Sequence, residues 1–414
     1  MTTIVQDWRR LADYEGIRVH RGRRLREGMR SAGLDALVVF EYANCRYAAG
    51  LRPLYAPNFQ VRQAVVVTAE SPDSVVFVHL DDTPHRRKTM HWVRPEDIRE
   101  FPTGVVLEGG GAEALAPIGE ALRQLGFTSG RVGTDMGTPN SLANLQALLG
   151  ESELVDANAM LAKVRAVKSP DEVTLLRVAS EVVDRAMARA VEMIAPGVRE
   201  CEVLAEVMKV FYDNNAEVPQ CNLIVCTGEN TAPMQRFAGD DRIRYGDLVF
   251  MDIGACFNGM FSEATRTVVC GEPNDTQREI YRLVHRMHER LIGAVRPGAT
   301  GEDLQRVAAE VLDGHAYADR LQKMIIAHGI GVGYAESPYI SPPGRSTPPL
   351  VLEEGMILAV VPTIIVEGVP GGGGVRLEDV VAVTADGAEV LTRYPYDERL
   401  LSEPTGSGPA GRAA

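Results

Sequence analysis

The chain has 414 residues, of which 45% are hydrophobic and 24% charged, as is usual for a globular protein long enough for two domains. Its formal charge of −13 argues against a nucleic-acid-binding protein and against docking on anionic membranes. The sequence shows no apolar run of the roughly 20 residues that span a bilayer, no signal-peptide core and no closely spaced cysteine pair. These features predict a cytoplasmic protein with reduced cysteines.

The first 160 residues alternate helix-like and strand-like segments. An amphipathic helix is predicted over residues 18–34, followed by the apolar runs ALVVFEY, RQAVVVTAE and SVVFVHLDD and by a helix-like AEALAPIGEALRQLGF. This alternation predicts an α/β domain over residues 1–160. The irregular, aromatic-rich segment that contains Tyr55 and Arg62 is expected to be a loop that reaches over a neighbouring site. Arg62 suits a substrate carboxylate, but an exposed surface arginine is an equally good interpretation.

After Met160 the pattern becomes longer helices followed by strands. A helix is predicted from a Ser169 cap, with proline and acids in its first turn, to Ile194. Further helices are predicted over 200–214, from a cap at Asp275-Thr276, and over 301–314; apolar strand-like runs then dominate. The pattern predicts an α+β domain over residues 161–403 and a disordered tail over 404–414.

A β-hairpin centred on Asn258-Gly259 carries two carboxylates. Asn-Gly between two apolar runs is the strongest local signal for a two-residue turn, and it pairs residues whose numbers sum to 517. Asp252 then faces Thr265, and Gly254 faces Glu263, so Asp252 and Glu263 become diagonal neighbours on one face. Such a pair requires a metal ion, a proton or a cationic substrate between its members unless both point to solvent.

Two further ionisable residues stand in apolar surroundings. His328 lies in the glycine-rich AHGIGVG, where the backbone can approach a ligand closely, and Glu378 is predicted within the strand GVRLEDVVAV. Asp379 should face the other way by strand alternation. Each residue alone is more often a hydrogen-bonded core residue, but four such groups in one domain favour a shared site.

Several motifs carry a resemblance to a known family. The runs RAVKSPDEVTLLR, TGENTA, GDLVFMDIGACFNGMFSEATRT, HGIGVG, EEGMILAVVP and GGGGVRLEDVVAV are similar, in order and spacing, to those of the creatinase, aminopeptidase P and methionine aminopeptidase family. The resemblance covers about Arg21 to Leu401 and implies a pita-bread catalytic domain. Catalytic members bind two divalent metals through five ligands. By motif position these ligands fall on Asp252, Glu263, His328, Val361 and Glu378.

The departures from the family pattern concern the site itself. Glu263 replaces an aspartate, Val361 replaces a metal-binding glutamate, and Gln235 and Ala335 stand where peptidases carry histidines. The resemblance therefore implies an incomplete metallopeptidase site. One divalent ion, Mn, Fe, Zn or Co, remains possible through Asp252, Glu263, His328 and Glu378, and a metal-free site of the creatinase type is the alternative.

These departures favour a creatinase-like hydrolase of a non-peptide C–N bond, amide or amidine, in a small polar molecule. His328, Glu263 and Glu378 are the expected catalytic residues, with Arg62, Gln235, Tyr55 and Arg376 as substrate contacts. The alternatives are a metal-dependent lyase resembling dimethylsulfoniopropionate lyase, an Xaa-Pro-type metallopeptidase, and an inactive binding module. The resemblance also implies a homodimer in which one subunit's N-terminal domain caps the other's site.

Overall fold

The computed structural model describes residues 10–52, 63–101, 115–135, 139–220 and 223–403. The described residues divide into two compact units, Asp13–Arg165 and a second unit that comprises residues 166–403 together with 10–12. The first unit is an α/β domain and the second mixes helices with mostly antiparallel sheets, so the predicted fold class is confirmed. The boundary predicted at residue 160 stays a prediction, and the predicted tail 404–414 lies outside the described residues.

The first unit is built around one mixed sheet. Within its described residues, six strands form this sheet, in the spatial order Ile98–Glu100, Ser74–Val78, Ala64–Thr68, Ala36–Val39, Arg131–Thr134, Glu153–Asp156. Helices accompany the strands: Tyr14–Ser31, Tyr42–Ala49, Thr83–Thr89, Ala116–Gln124, Pro139–Leu149 and Asn158–Ala166. Apolar residues of the strands pack with those of the helices, which gives this unit a core of its own.

The helices of the second unit are Pro170–Glu192, Glu200–Asp213, Asp275–Ala294, Gly301–Leu312 and the short Glu398–Leu401. Ser169 caps the first through a capping box with Glu172, as predicted. The third helix is instead capped by Asn274, whose side chain accepts the Gln277 N–H, so the predicted Asp275-Thr276 cap is wrong by one residue. No helix among the described residues is both long and apolar enough to cross a bilayer.

The central hairpin, Leu248–Phe257 and Met260–Val269, has the predicted register: Asp252 lies opposite Thr265 and Gly254 opposite Glu263. Asn258 and Gly259 adopt φ of 46° and 83°, the left-handed values of a type I′ turn. Every residue of both strands is buried. Helix Pro170–Glu192 packs on one face, where the Ser180 and Ser262 hydroxyls are 2.8 Å apart. Since neighbours alternate, Glu263 points to the opposite face.

Shorter strands complete the second unit. Val218–Pro219 and Ile224–Thr227 pair with the hairpin strand Leu248–Phe257. A second sheet has the order Glu336–Ile340, Ala327–Gly329, Ile357–Val360, Asp379–Thr384, Gly387–Val390, and a small ribbon pairs Thr363–Ile365 with Gly374–Arg376. The main core of the unit lies between these sheets and the helices Asp275–Ala294 and Gly301–Leu312. This packing brings His328 next to the open face of the hairpin, which is the face that carries Glu263 and that helix Pro170–Glu192 does not cover.

Candidate metal and catalytic site

His328 lies on the middle one of three neighbouring strands. Its strand, Ala327–Gly329, pairs with Glu336–Ile340 on one side and Ile357–Val360 on the other. His328 Nε2 lies 3.2 Å from Glu263 Oε1 and 3.7 Å from Glu378 Oε1, while Nδ1 is 2.9 Å from the Gly329 carbonyl oxygen. An Nδ1–H that donates to this carbonyl directs Nε2 towards the two carboxylates.

Glu378 lies between two strands and not within one, which corrects the sequence prediction. The chain leaves the ribbon at Arg376 and joins the second sheet at Asp379. In between, Glu378 forms an isolated bridge with Thr265 of the hairpin, and the Thr265 hydroxyl donates to Glu378 Oε2 at 2.6 Å. The strand breaks because Glu378 pairs with the hairpin and Asp379 with Val360. Glu378 is thereby held over the hairpin face that carries Glu263.

The Asp252 carboxylate is engaged by two donors. Arg376 Nη1 donates to Oδ2 at 2.6 Å, and Gln220 Nε2 donates to Oδ1 at 3.0 Å. Arg376 also donates to the Thr363 hydroxyl and the Gln322 side-chain oxygen, so its guanidinium is held from several sides. The structure thus places Asp252 in an ion pair beside the site, and Arg376, expected as a substrate contact, is buried within this network.

Burial and mutual repulsion shift the acidities of the group. Burial, followed by the charge of Glu378, raises the pKa of Glu263 to about 8, although His328 opposes the shift. Burial acts to raise the pKa of Glu378 too, but contact with His328 and the charge of Arg376 outweigh it and lower that pKa. For His328, burial acts to lower the pKa, but the Glu263 and Glu378 carboxylates outweigh it and raise it well above the ordinary value. The histidine is therefore cationic between the two glutamates.

The residues fit one divalent ion. Glu263, His328 and Glu378 are all buried, and one ligand atom from each lies within 4.8 Å of the others. Glu263 Oε1 has no well-directed hydrogen bond to any described residue, which is costly for a buried oxygen unless a cation or a donor fills the gap. Two carboxylates and an imidazole suit Mn, Fe, Co or Zn. A cation here would release the His328 proton, because a ligating imidazole is neutral.

The sequence analysis also singled out Gln235, Val361, Tyr55 and Arg62. Gln235 is exposed in the loop that follows the short 3₁₀ turn Gly228–Thr231. Val361 is buried and offers no donor atom. Tyr55 and Arg62 lie outside the described residues. The substrate contacts predicted for Gln235, Tyr55 and Arg62 stay predictions.

The sequence analysis did not predict a role for Thr265 or Gln220, two polar residues that contact the site carboxylates. Thr265 was detectable in principle, because the hairpin register places it opposite Asp252. Gln220 gave no such signal, since its position against Asp252 depends on the pairing of Val218–Pro219 with a strand more than thirty residues away.

Behind Glu378, Asp379 faces away from the site as predicted. Its carboxylate accepts from Arg266 at 2.8 Å and from Thr392 at 2.6 Å. Arg266 also donates to the carbonyl oxygens of Glu378 and Tyr394. This buried ion pair therefore fixes the backbone of Glu378 relative to the hairpin.

Both units are similar to known proteins. A model of metallopeptidase family M24 matches residues 174–385, and a model of the creatinase/prolidase N-terminal domain matches residues 21–167. An Xaa-Pro dipeptidase of Pyrococcus furiosus is 38% identical over 230 residues, which are 56% of this chain and 64% of that protein. That match spans just under two thirds of the relative's length.

Two further matches cover nearly the whole chain. A probable dipeptidase PepE of Mycobacterium bovis is 30% identical over 376 residues, 88% of this chain and 92% of that protein. The solved structure of an Xaa-Pro dipeptidase from Bacillus anthracis aligns with a TM-score of 0.75 at 26% identity, covering 92% of this chain and 98% of that one. The similarity therefore extends over both units.

Proposed function

This chain is a member of metallopeptidase family M24, and from that membership we propose that it hydrolyses the peptide bond of Xaa-Pro dipeptides with one divalent ion. The observation that carries the proposal is the buried group of Glu263, His328 and Glu378 on the open face of the central hairpin. The relatives named Xaa-Pro dipeptidase supply the substrate class.

The prediction of a hydrolase for a non-peptide C–N bond is wrong. Proteins named Xaa-Pro dipeptidase match this chain at up to 38% identity, and the alternative prediction of an Xaa-Pro metallopeptidase agrees with them. That prediction rested on Val361 and Gln235, which stand where peptidases of the family carry a metal-binding glutamate and a histidine. Val361 offers no donor atom and Asp252 is paired with Arg376. Glu263, His328 and Glu378 still lie close together, and two carboxylates with an imidazole are a ligand set that can support metal-assisted hydrolysis.

In this proposal, the residues of the site bind the ion, orient a ligand or transfer a proton. Glu263, His328 and Glu378 would hold the ion, which when bound supplies Lewis-acid activation of water and of the scissile carbonyl. Thr265 and the backbone bridge keep Glu378 in one orientation. We assign to Glu263, through the carboxylate oxygen that does not hold the ion, the transfer of a proton from the attacking water to the leaving nitrogen. A carboxylate has two oxygens, so Glu263 can bind an ion and exchange a proton.

The replacement of a family ligand by Val361 argues for one ion per chain. A valine has no donor atom, and Asp252 is already paired with Arg376. A second ion would thus depend on ligands shared with the first, which lowers its affinity. We therefore propose one bound Mn, Fe, Co or Zn.

The test is hydrolysis of Ala-Pro by the purified chain with added Mn²⁺. We expect His328→Ala and Glu378→Gln to lower kcat/KM by about a hundredfold or more, because each removes a ligand. Matched controls are His315→Ala and Glu354→Gln, which change the same residue types away from the site. Full activity in either site variant would refute the assigned roles.

The homodimer expected from the family resemblance is also a proposal. Light scattering measures the state directly, and Arg62 allows a sharper experiment. If the partner subunit supplies Arg62, mixing inactive Arg62→Ala and His328→Ala subunits should restore part of the activity, because some mixed dimers keep one intact site. Mixtures that stay inactive would argue that each subunit completes its own site.

A further inference from the structure

Gln220 is a buried amide at the edge of the site that the proposed mechanism does not use. The residue follows strand Val218–Pro219, and its backbone N–H donates to the Gly254 carbonyl oxygen at 2.9 Å. Its side chain is 4% exposed. Gln220 Nε2 donates to Asp252 Oδ1 at 3.0 Å. Because a carboxylate accepts and the NH₂ group donates, this contact fixes which end of the amide is the oxygen.

The amide oxygen lies against Gly254. A Cβ built on Gly254 would be 1.7 Å from Gln220 Oε1, so the oxygen occupies the space that any side chain at residue 254 would need. Gly254 is directly opposite Glu263 in the hairpin, and opposed residues share a face. Gln220 Oε1 therefore lies on the same face as the Glu263 carboxylate.

Gln220 Oε1 has no hydrogen-bond partner among the described residues. A buried acceptor without a donor costs free energy, so such an oxygen in a functional site marks a place for a donor from outside the chain. An amide oxygen is neutral and accepts from neutral and cationic donors alike, so the identity of the donor has to come from the substrate.

The chemistry of the substrate then identifies the donor. Proline has no N–H in a peptide bond, so the N–H groups that every Xaa-Pro dipeptide offers are those of its free α-amino group. We propose that Gln220 Oε1 accepts a hydrogen bond from this amino group, which makes Gln220 a residue that selects substrates with a free amino terminus. The inference rests on the proposed function and adds the recognition of one end of the substrate.

The test compares Ala-Pro with N-propionyl-proline, which differs from it only by the loss of the amino group. With the Mn²⁺-loaded full chain, kcat/KM for both compounds is measured in the wild type and in Gln220→Met, a near-isosteric change that removes both polar atoms. We expect the preference for Ala-Pro to fall by about tenfold to a hundredfold, the range for one lost hydrogen bond to a charged group. Gln220→Asn, which withdraws the amide by one methylene, repeats the test if the methionine variant does not fold.

Two internal controls separate this role from others. Loss of the Gln220–Asp252 contact would slow both compounds equally and leave their ratio unchanged. Calorimetric titration of Mn²⁺ into each protein should show unchanged affinity. If the wild type cleaves Ala-Pro and both variants keep its ratio of kcat/KM for Ala-Pro over N-propionyl-proline, the inference about Gln220 is wrong and the proposed function stands. Weaker Mn²⁺ binding in Gln220→Met, with an unchanged ratio, would instead make Gln220 a metal ligand. A wild type that cleaves neither compound would overturn both proposals.

Discussion

By its motif position, Val361 is the residue that we expect to separate this site from a two-metal site. Its side chain is buried, and it lies outside the core cluster that contains its neighbour Val360. Since neighbours in an extended segment alternate, Val361 faces away from that core. Val361 also occupies the motif position of a family metal ligand, so a carboxylate here should be useful only when an ion is present.

We expect Val361→Glu to lower the free energy of unfolding of the metal-free protein by roughly 2–5 kcal/mol, because a buried charge lacks a partner. Added Mn²⁺ should restore most of the loss, since an ion that binds only the folded state stabilises it. Denaturant titrations with and without Mn²⁺ measure both effects. Val360→Glu is the matched control, and its loss of unfolding free energy should be the same with and without Mn²⁺. If Mn²⁺ restores the stability of both variants to the same extent, or of neither, Val361 does not lie at a metal-ligand position.

His288 provides a pH-dependent test away from the metal ligands. Its ring is fully buried, with Nε2 3.4 Å from Asp379 Oδ2 and Nδ1 3.3 Å from the Tyr396 hydroxyl. Burial lowers the pKa of His288 to about 4, and Arg266 and His285 act in the same direction against Asp379. The unfolded chain, with an ordinary histidine pKa near 6.5, takes up the proton first as the pH falls.

The contribution of His288 to stability is therefore complete above about pH 6.5 and is lost as the pH falls towards 4, by roughly 2–4 kcal/mol. We expect His288→Gln to remove this part of the pH dependence of the unfolding free energy between pH 7 and 4. His85→Gln, a change at an exposed histidine, should leave it in place. Parallel profiles for wild type and His288→Gln would show that the buried ring does not cause the loss.

The sequence motifs indicated the residues that we propose for the site but not the contacts around them. Glu263, His328 and Glu378 were found from their motifs, and the structure brings them together. The Arg376–Asp252 and Gln220–Asp252 contacts could not be found, because they join segments that are far apart in the chain and depend on tertiary packing. Pattern and propensity describe local structure only.

The central hairpin shows that a register can be predicted where the turn residues specify the geometry. Asn258 and Gly259 adopt the left-handed backbone conformation that a type I′ turn requires. Every cross-strand pair of the hairpin then follows, including those that place Asp252 and Glu263 on one face. Elements that depend on distant partners were less predictable. Glu378 lies in a strand break because it pairs with the hairpin, a partner that its own sequence does not reveal.

The hairpin turn gives a paired stability prediction. Gly259→Ala forces a side chain into φ of 83° and should lower the free energy of unfolding by about 1 kcal/mol or more. Gly293→Ala, in helix Asp275–Ala294 with open space around the new Cβ, should raise it by about 0.5–1 kcal/mol. Denaturant unfolding of both variants checks the opposite signs. A harmless Gly259→Ala would mean that the hairpin register does not depend on this turn.

For the whole molecule, the fold class was predictable and the reaction was not. The alternation of strands and helices before residue 160, and the long helices after it, fix the α/β and α+β character of the two units. The reaction depends on which of the remaining ligand residues lie close enough together to hold an ion. The sequence shows which family ligands are replaced, such as the one at Val361, but it does not show the distances between the others. Similarity over both units to proteins named dipeptidase contradicts the predicted non-peptide reaction.

The most direct test of the account is the rate of Ala-Pro hydrolysis as Mn²⁺ is titrated into the metal-stripped chain. We predict that the rate rises until one equivalent per chain is bound and then stays constant, because the proposed ligands Glu263, His328 and Glu378 provide for one ion. A rate that continues to rise to a second equivalent, or a chain that binds Mn²⁺ and never cleaves Ala-Pro, would contradict the account.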